Sequence, residues 1–441
     1  MFNISWDRPS SQPQEFKIAA LSLAERVIYW TIVLTPIWWL LGIQPLFYPA
    51  VVSILLAVIF EIDKLINNLL PPAVWAWLVM ALVMFWTAML GIYTEGFSFN
   101  LAAATFVTFL KSYFLIFCCL AIPFWSRVRV SVVTRAVAWM ATGFLVNIAV
   151  QMVMLGVGLG SMRYVPLLGR LIPGDKGSLT VKFAKMAAFF GIPLPRTTLH
   201  TPDPPILGVC ALLCFVICLG ESNRRLRNWA LVGSFCALLV SFSRLALVCL
   251  PFVLLVVALF RSQFTRQLSL WLTSASFLFC SLLGITVKQL MDRPMDVFDS
   301  ARATSSEVRG KVIAETLKAW QQELWLGWGV IRGSAWLYED KYIKLGSFSS
   351  YAAVLYLHGI VGFIVFIVAM FLTLSAFYAP AVGGDLTCKR VFASLVALYV
   401  LMQATALSWM AVYLWFFFVW LGAVMFEVQQ RDMSLSSWEQ L

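Results

Sequence analysis

The stretch Lys344–Phe363, KLGSFSSYAAVLYLHGIVGF, decides the fold. A polar Gly-Ser-Phe-Ser-Ser lip passes directly into an apolar run that reaches residue 378 without an Asp, Glu, Lys or Arg. A helix needs roughly 20 apolar residues to cross a bilayer, so the stretch reads as the edge of an outward loop followed by a membrane span.

Runs of this kind recur along the chain. Of the 441 residues, 61% are hydrophobic and only 12% charged. A soluble fold of that length would need far more polar surface. The alternating strands of a membrane barrel are absent from the pattern. The expected class is all-α, a polytopic transmembrane helical bundle. Apolar length gives about 12 spans, near residues 27–43, 45–60, 72–93, 98–124, 136–157, 205–220, 229–243, 245–260, 268–290, 350–378, 392–408 and 410–428. A large, partly helical outward loop separates the ninth from the tenth. The expected divisions are a tail over 1–26, a bundle over 27–290 that includes an outward loop at 158–204, a loop domain over 291–349, C-terminal spans over 350–428 and a tail over 429–441.

Charge orients this bundle. WSRVRVSVVTR, ESNRRLRN, FRSQFTRQ and GGDLTCKR fall on one side, whereas the short turns at Gly42–Gln44, Tyr93–Ser98 and Ser408–Trp409 carry no Lys or Arg. The positive-inside pattern then puts both ends in the cytoplasm. Much of the net charge of +11 only sets orientation, so no nucleic-acid partner is implied. The first 20 residues are polar, and no cleaved signal peptide is expected. Cys210, Cys214 and Cys218 form a stripe on one span, read as small side chains packing helix on helix, since no His or acid joins them. No metal cluster, Walker motif or dinucleotide fingerprint is present, so neither metal nor cofactor is expected.

The two outward loops depart from the charge pattern, as solvated surface or as functional sites. Arg244, in LLVSFSRLALVCL, sits at the outer end of two spans joined by almost nothing. It either snorkels to headgroups or meets an anion, which its planar fork suits. In RATSSEVRGKVIAETLKAW, Thr304 and Glu307 form a T-x-x-E box that predicts a helix over Ser305–Leu324. Val308, Val312, Ile313, Leu317, Ala319, Trp320 and Leu324 share one arc, with Glu307, Lys311, Glu315 and Lys318 opposite. Arg309 lies near the middle of the apolar arc, where a charge needs an ion-pair partner or an anionic ligand. Arg302 precedes the cap and is exposed.

Arg196 and His200 lie four residues apart in GIPLPRTTLHTPDPPILGV, just outside a span; His200 is an inert loop residue or a proton carrier. Lys111 lies within a span, with Glu95 the nearest acid in sequence. Trp320, Trp325, Trp328 and Trp336 crowd the second loop, suited equally to stacking on sugars and to the membrane interface.

The order PRTTLHTPDPPILG, SFSRLALV, SSEVRGKVIAETLKAW…LGWG and LGSFSSYAAVLYLHGIVG resembles the bacterial O-antigen ligase and polysaccharide polymerase superfamily, over about residues 190–370. The resemblance implies transfer of a glycan from undecaprenyl diphosphate to a sugar hydroxyl on the periplasmic face, without a metal. Arg244 matches the superfamily's Ser-Arg motif and Arg309 the arginine of its loop helix. Arg196 precedes a turn that reads Asp203-Pro204-Pro205 here and is Asp-Pro-Asn-like in the superfamily. Both loop arginines would stabilise the departing diphosphate. Arg196, Arg302, Trp320, Trp328, Ser347 and Ser349 would contact the lipid-linked oligosaccharide or the growing glycan acceptor. Membrane lipids and other polysaccharide-synthesis proteins are the further partners implied.

One position departs from the superfamily. Its ligases carry a histidine after Gly-Ser, whereas Gly346-Ser347 is followed by Phe348, which cannot accept a proton. His358 lies about 15 Å deeper along the span at 1.5 Å per residue. His200, Glu339 or Asp340 could serve as base instead, or leaving-group departure could run ahead of deprotonation. The leading expectation is a polymerase of exopolysaccharide or O-antigen repeat units. A ligase to another acceptor is the alternative within this class. A glycan or lipid transporter and a non-catalytic assembly protein are the alternatives outside it; a transporter would carry its polar site near the midplane in duplicated halves.

Overall fold

The computed structural model describes residues 21–61, 70–160, 162–166, 180–189, 192–260, 262–267, 271, 303–337 and 342–438. Its helices are α1 (Leu23–Val33), α2 (Thr35–Leu40), α3 (Gln44–Ile59), α4 (Pro72–Thr94), α5 (Phe99–Lys111), α6 (Tyr113–Ser126), α7 (Val130–Gly156), α8 (Pro204–Cys218), α9 (Arg224–Ser241), α10 (Arg244–Leu259), α11 (Ala303–Trp320), α12 (Ser350–Val382), α13 (Leu386–Leu401), α14 (Leu407–Met410) and α15 (Trp415–Trp438). Short antiparallel pairs decorate the loops: β1 (Arg163–Tyr164) with β2 (Val181–Lys182), β3 (Lys185–Phe189) with β4 (Ile192–Arg196), and β5 (Ser334–Trp336) with β6 (Tyr342–Lys344). The fold is therefore mostly helical. Strand pairing serves loop backbone that has no helix to satisfy its N–H and C=O groups.

Among the described residues, five helical stretches are long and apolar enough to cross a membrane: Pro72–Thr94, Phe99–Ser126, Val130–Gly156, Ser350–Val382 and Leu407–Arg431. Gln44–Ile59, Pro204–Cys218 and Arg244–Leu259 are apolar but shorter, and 16 residues rise only about 24 Å. Two of the first four expected spans are broken. The first divides between α1 and α2, where Pro36 opens the second piece. The fourth divides at Ser112, whose φ of −110° and ψ of −105° are not helical. The expected ninth span, 268–290, lies outside the described residues except for Trp271. Val79, Leu82 and Trp86 on α4, Val146, Val150 and Val153 on α7, and Ile364 and Phe371 on α12 are exposed apolar groups, as a face turned to hydrocarbon requires. Cys210, Cys214 and Cys218 are buried among the helices, in keeping with a packing stripe.

The contacts between elements distinguish two ends of the bundle. At the end holding the chain's tails, Arg129 binds Glu25 in a bidentate pair at 2.7 and 2.8 Å, and Arg135 binds Glu221 at 2.8 and 2.6 Å. At the opposite, loop end, α11 and β5–β6 form a second small core of Val312, Ala335, Leu337 and Leu345 that closes on Tyr356 of α12.

The α12 helix is interrupted. Gly359 has φ +62° and ψ −163°, which breaks the bonds from Ile360 to Tyr356 and from Val361 to Leu357. The loop after α11 inserts into the gap. Ile360 donates to the Leu324 carbonyl and Val361 to that of Trp325, while Trp328 and Gly329 donate to the carbonyls of Tyr356 and Leu357, at 2.8–3.2 Å. All four orphaned groups are thus satisfied within protein, the condition for irregular backbone near membrane depth. The approach requires glycine: a Cβ on Gly327 would lie 2.6 Å from the His358 nitrogen, and one on Gly359 would lie 2.2 Å from the Trp325 oxygen.

Candidate active site at the loop end

The α9–α10 turn is built tightly. Phe242 adopts a left-handed φ of +46° to end α9, and Ser243 opens α10. Gly208 of α8 lies against it, where a Cβ would come within 2.5 Å of the Ser243 Cβ. The glycine of PPILG thus lets the Ser-Arg turn seat on α8. Arg196, at the end of β4, is buried and donates through Nε to the Ser241 carbonyl at 2.9 Å. That bond satisfies a carbonyl left open at the C-terminus of α9 and meets the negative end of its dipole. Arg196 therefore holds the turn that carries Arg244.

Arg244 reaches from the first residue of α10 to the loop helix, where Nη2 donates to Ser306 Oγ at 2.8 Å. Ser306 and Arg309 are three residues apart on α11 and so share a face. Arg309 donates through Nη1 to the Ala404 carbonyl at 3.3 Å, and its guanidinium carbon lies 5.3 Å from the centre of the Phe348 ring. Arg244 and Arg309, separate in sequence, are brought to one face of α11. Phe348 packs on the loop core beneath a cation. Both flanks of Phe348 are pinned. Gly346 donates to Thr316 Oγ1 at 3.0 Å; Ser350 Oγ donates to the Thr405 carbonyl at 2.7 Å and accepts from the Leu407 amide at 2.8 Å.

The loop helix differs from its expected bounds. It runs Ala303–Trp320, so Thr304 lies inside it and not at an N-cap, and it ends before Leu324 because residues 324–329 are committed to the break in α12. Glu307, Lys311, Glu315 and Lys318 are exposed and Val312 is buried, as the periodicity requires. Arg302, Glu339 and Asp340 lie outside the described residues.

The other expected residues have structural partners. Trp328 donates to the Ala319 carbonyl at 2.9 Å and lies under Arg332, 4.7 Å from the guanidinium carbon to the ring centre. Trp320 donates to the Leu324 carbonyl at 3.2 Å. Ser349 is the N-cap of α12, accepting from the Ala352 amide, and Ser347 Oγ donates to the Lys344 carbonyl. Glu95 pairs with Arg332 at 2.6 Å and not with Lys111, which ends α5 at the break in the fourth span.

His200 is not brought to the two arginines. It is 3% exposed, wedged against Trp39 and Phe144, with Nε2 at 2.6 Å from the Asn147 amide nitrogen. Burial pulls its imidazole down to about 3, so it is neutral at ordinary pH and a weak base. Its Nδ1 has no hydrogen-bond partner among the described residues and borders a small cavity lined also by Tyr48, Gln44 and Tyr413. His358 bonds Thr87 Oγ1 at 2.7 Å, tying α12 to α4 beside the break. Among the described residues no group of three His, Cys, Asp or Glu could hold a metal ion.

The sequence alone did not single out Ser306 or the LGWG insertion into α12. Gly327 and Gly329, paired within two residues before a long span, were the available signal for the insertion. Compared with known proteins, residues 229–367 match the family model described as O-Antigen ligase. The match contains Arg244, α11, the insertion and Phe348; Arg196 and His200 precede it. No curated protein matches the chain. The family match supports the O-antigen ligase and polymerase superfamily for this membrane protein.

Proposed function

From the O-antigen ligase segment that the chain carries over residues 229–367, we propose that it is a polysaccharide polymerase joining undecaprenyl-diphosphate-linked repeat units. The observation that carries this reading is the bond from Arg244 to Ser306, which brings the Ser-Arg turn of the bundle against the helix bearing Arg309. In the transfer, the bond between the anomeric carbon and the phosphate oxygen breaks, with its electron pair going to the diphosphate. The acceptor hydroxyl forms the new glycosidic bond and gives up its proton. Negative charge grows on the leaving group, where two oriented guanidiniums are worth most, because each can bind phosphate through parallel N–H bonds.

Phe348 removes the proton acceptor from the position where superfamily ligases carry histidine, and this supports the polymerase reading over a ligase. Glu339 and Asp340 of the second loop are the proposed acceptors of the proton, and His200 is assigned to holding Trp39 and α7 in place. Twelve spans, both tails in the cytoplasm and a periplasmic reaction belong to the same proposal, supported by the charge pattern of the connections and by the loop elements that meet at one end of the bundle.

The test is substitution of Arg244 and of Arg309 by Ala, with polymer length and lipid-linked repeat units measured in cells. Both variants should express, lose long polymer and accumulate the lipid-linked unit. Full-length polymer from both would refute the diphosphate clamp. Deletion separates polymerase from ligase: single-repeat glycan is expected, whereas normal-length chains left on the carrier would identify a ligase.

A further inference from the structure

At the tail end, α13 begins with two cations, Lys389 and Arg390, each only 8% exposed. Arg390 is unlike three other arginines at this end. Arg129, Arg135 and Arg431 each grip a carboxylate, of Glu25, Glu221 and Asp385 respectively. The Arg390 guanidinium has no described hydrogen bond or ion pair, and its Nε is buried without a partner among the described residues. Arg227 of α9 adds a like charge to its surroundings and Asp385 an opposite one. The Asp385 carboxylate is already engaged, accepting from the Cys388 amide at 2.9 Å and binding Arg431. Arg227 itself donates to the Glu221 carbonyl at 3.4 Å, and Glu221 is held by Arg135.

Backbone forms the floor of this site. Gly220, just past the C-terminus of α8, would bring a Cβ to 3.5 Å from Arg390 Nη1. Helix-end carbonyls there give the guanidinium partial compensation. They do not satisfy Nε, and a buried guanidinium donor without an acceptor is costly. Toward the surface, Arg224 and Arg225 are exposed at the start of α9, and Trp229 is exposed one turn farther along. Exposed arginines beside an exposed tryptophan mark the headgroup level of a membrane.

We propose that the junction of α8 with α9 and the start of α13 binds a phosphate-bearing anion, with Arg390 as its buried ligand and Arg227 as its second. A phosphate supplies acceptors for both forks and neutralises the like-charge pair in one step. An anionic lipid headgroup and a free phosphate present the same chemistry, and basic pockets between membrane helices take such headgroups. This site lies at the opposite end from Arg244 and Arg309 and does not depend on their role.

The experiment uses the full-length protein in neutral detergent, with thermal stability followed and bound lipid counted by native mass spectrometry. Phosphatidylglycerol, phosphatidylcholine and inorganic phosphate are added separately to wild type, Arg390→Met and Arg227→Gln. Wild type should be stabilised by phosphatidylglycerol and not by phosphatidylcholine, with apparent affinity falling at least about tenfold in Arg390→Met. Arg390→Met should also be the more stable protein without lipid, because its buried charge is gone. An equal gain from inorganic phosphate would support the site and identify free phosphate as the ligand. No gain from either anion, or a gain kept in both variants, would overturn the proposal and leave Arg390 held by the end of α8 alone.

Discussion

Arginine is used in two ways at the two ends of this bundle. At the tail end, Arg129 and Arg135 form bidentate pairs with Glu25 and Glu221, acids whose side chains are 4% and 2% exposed. At the loop end, the bonds described for Arg196, Arg244 and Arg309 run to a helix-end carbonyl, a serine hydroxyl, and a carbonyl with an aromatic ring. A carboxylate pair locks two helices and cancels the charge. A carbonyl, hydroxyl or ring orients a guanidinium without itself cancelling the charge. The loop end also contains the first kind: Arg332, paired with Glu95 and stacked on Trp328, fastens the loop to α4.

The contrast is broken most severely by exchanging the two uses. Arg135→Ala leaves the Glu221 charge buried and should cost about 3–5 kcal/mol of stability, seen as a fall in melting temperature, with turnover per folded molecule unchanged. Arg309→Ala should do the reverse. Glycan transfer should fall about 10²–10³-fold, the usual loss for one transition-state donor, at nearly unchanged melting temperature. A stability loss in Arg309→Ala equal to that in Arg135→Ala would erase the distinction.

His200 offers a smaller effect with a definite sign. Its folded-state imidazole, depressed to about 3 by burial, binds fewer protons than the unfolded one near 6.5. Stability is therefore present above pH 6.5 and is lost as pH falls, by roughly 2 kcal/mol at pH 5. His200→Gln should flatten the fall in melting temperature between pH 7 and pH 5. If it abolished transfer with that profile unchanged, His200 would be the proton acceptor.

The smallest effect concerns Phe348, whose ring under Arg309 is worth about 0.5–2 kcal/mol. Phe348→Leu should lower transfer roughly three- to tenfold, and Phe348→Tyr should restore it. Phe348→His should bring a new loss of activity on the acid side of the imidazole pKa, because an imidazolium beside Arg309 repels it. Wild-type activity from Phe348→Leu would show that Ala404 alone holds Arg309.

Much of this was legible in the sequence, where the signal is local. The span over Ser350–Val382 follows from an uninterrupted apolar run, and the solvent face of α11 follows from the period of Glu307, Lys311, Glu315 and Lys318. Arg309 stood out because a charge in an apolar arc breaks the pattern. The expected end of α11 at Leu324 failed for a nonlocal reason. Propensity favours continuing the helix, but the carbonyls of Leu324 and Trp325 are taken by amides of α12. Arg196 and His200 looked like neighbours by spacing, yet the turn after β4 sends one to the end of α9 and the other to α7.

By itself, then, the sequence determined that this is a multi-span helical membrane protein with charged loops and arginines in a superfamily-like order, because apolar length and charge placement are properties of each segment alone. Only the tertiary structure decided that Arg244 meets the helix of Arg309, that Phe348 lies beneath that arginine, and that LGWG mends the break at Gly359. Those outcomes depend on which backbone can approach which, and close approach is set by glycines and hydrogen-bond partners far apart along the chain.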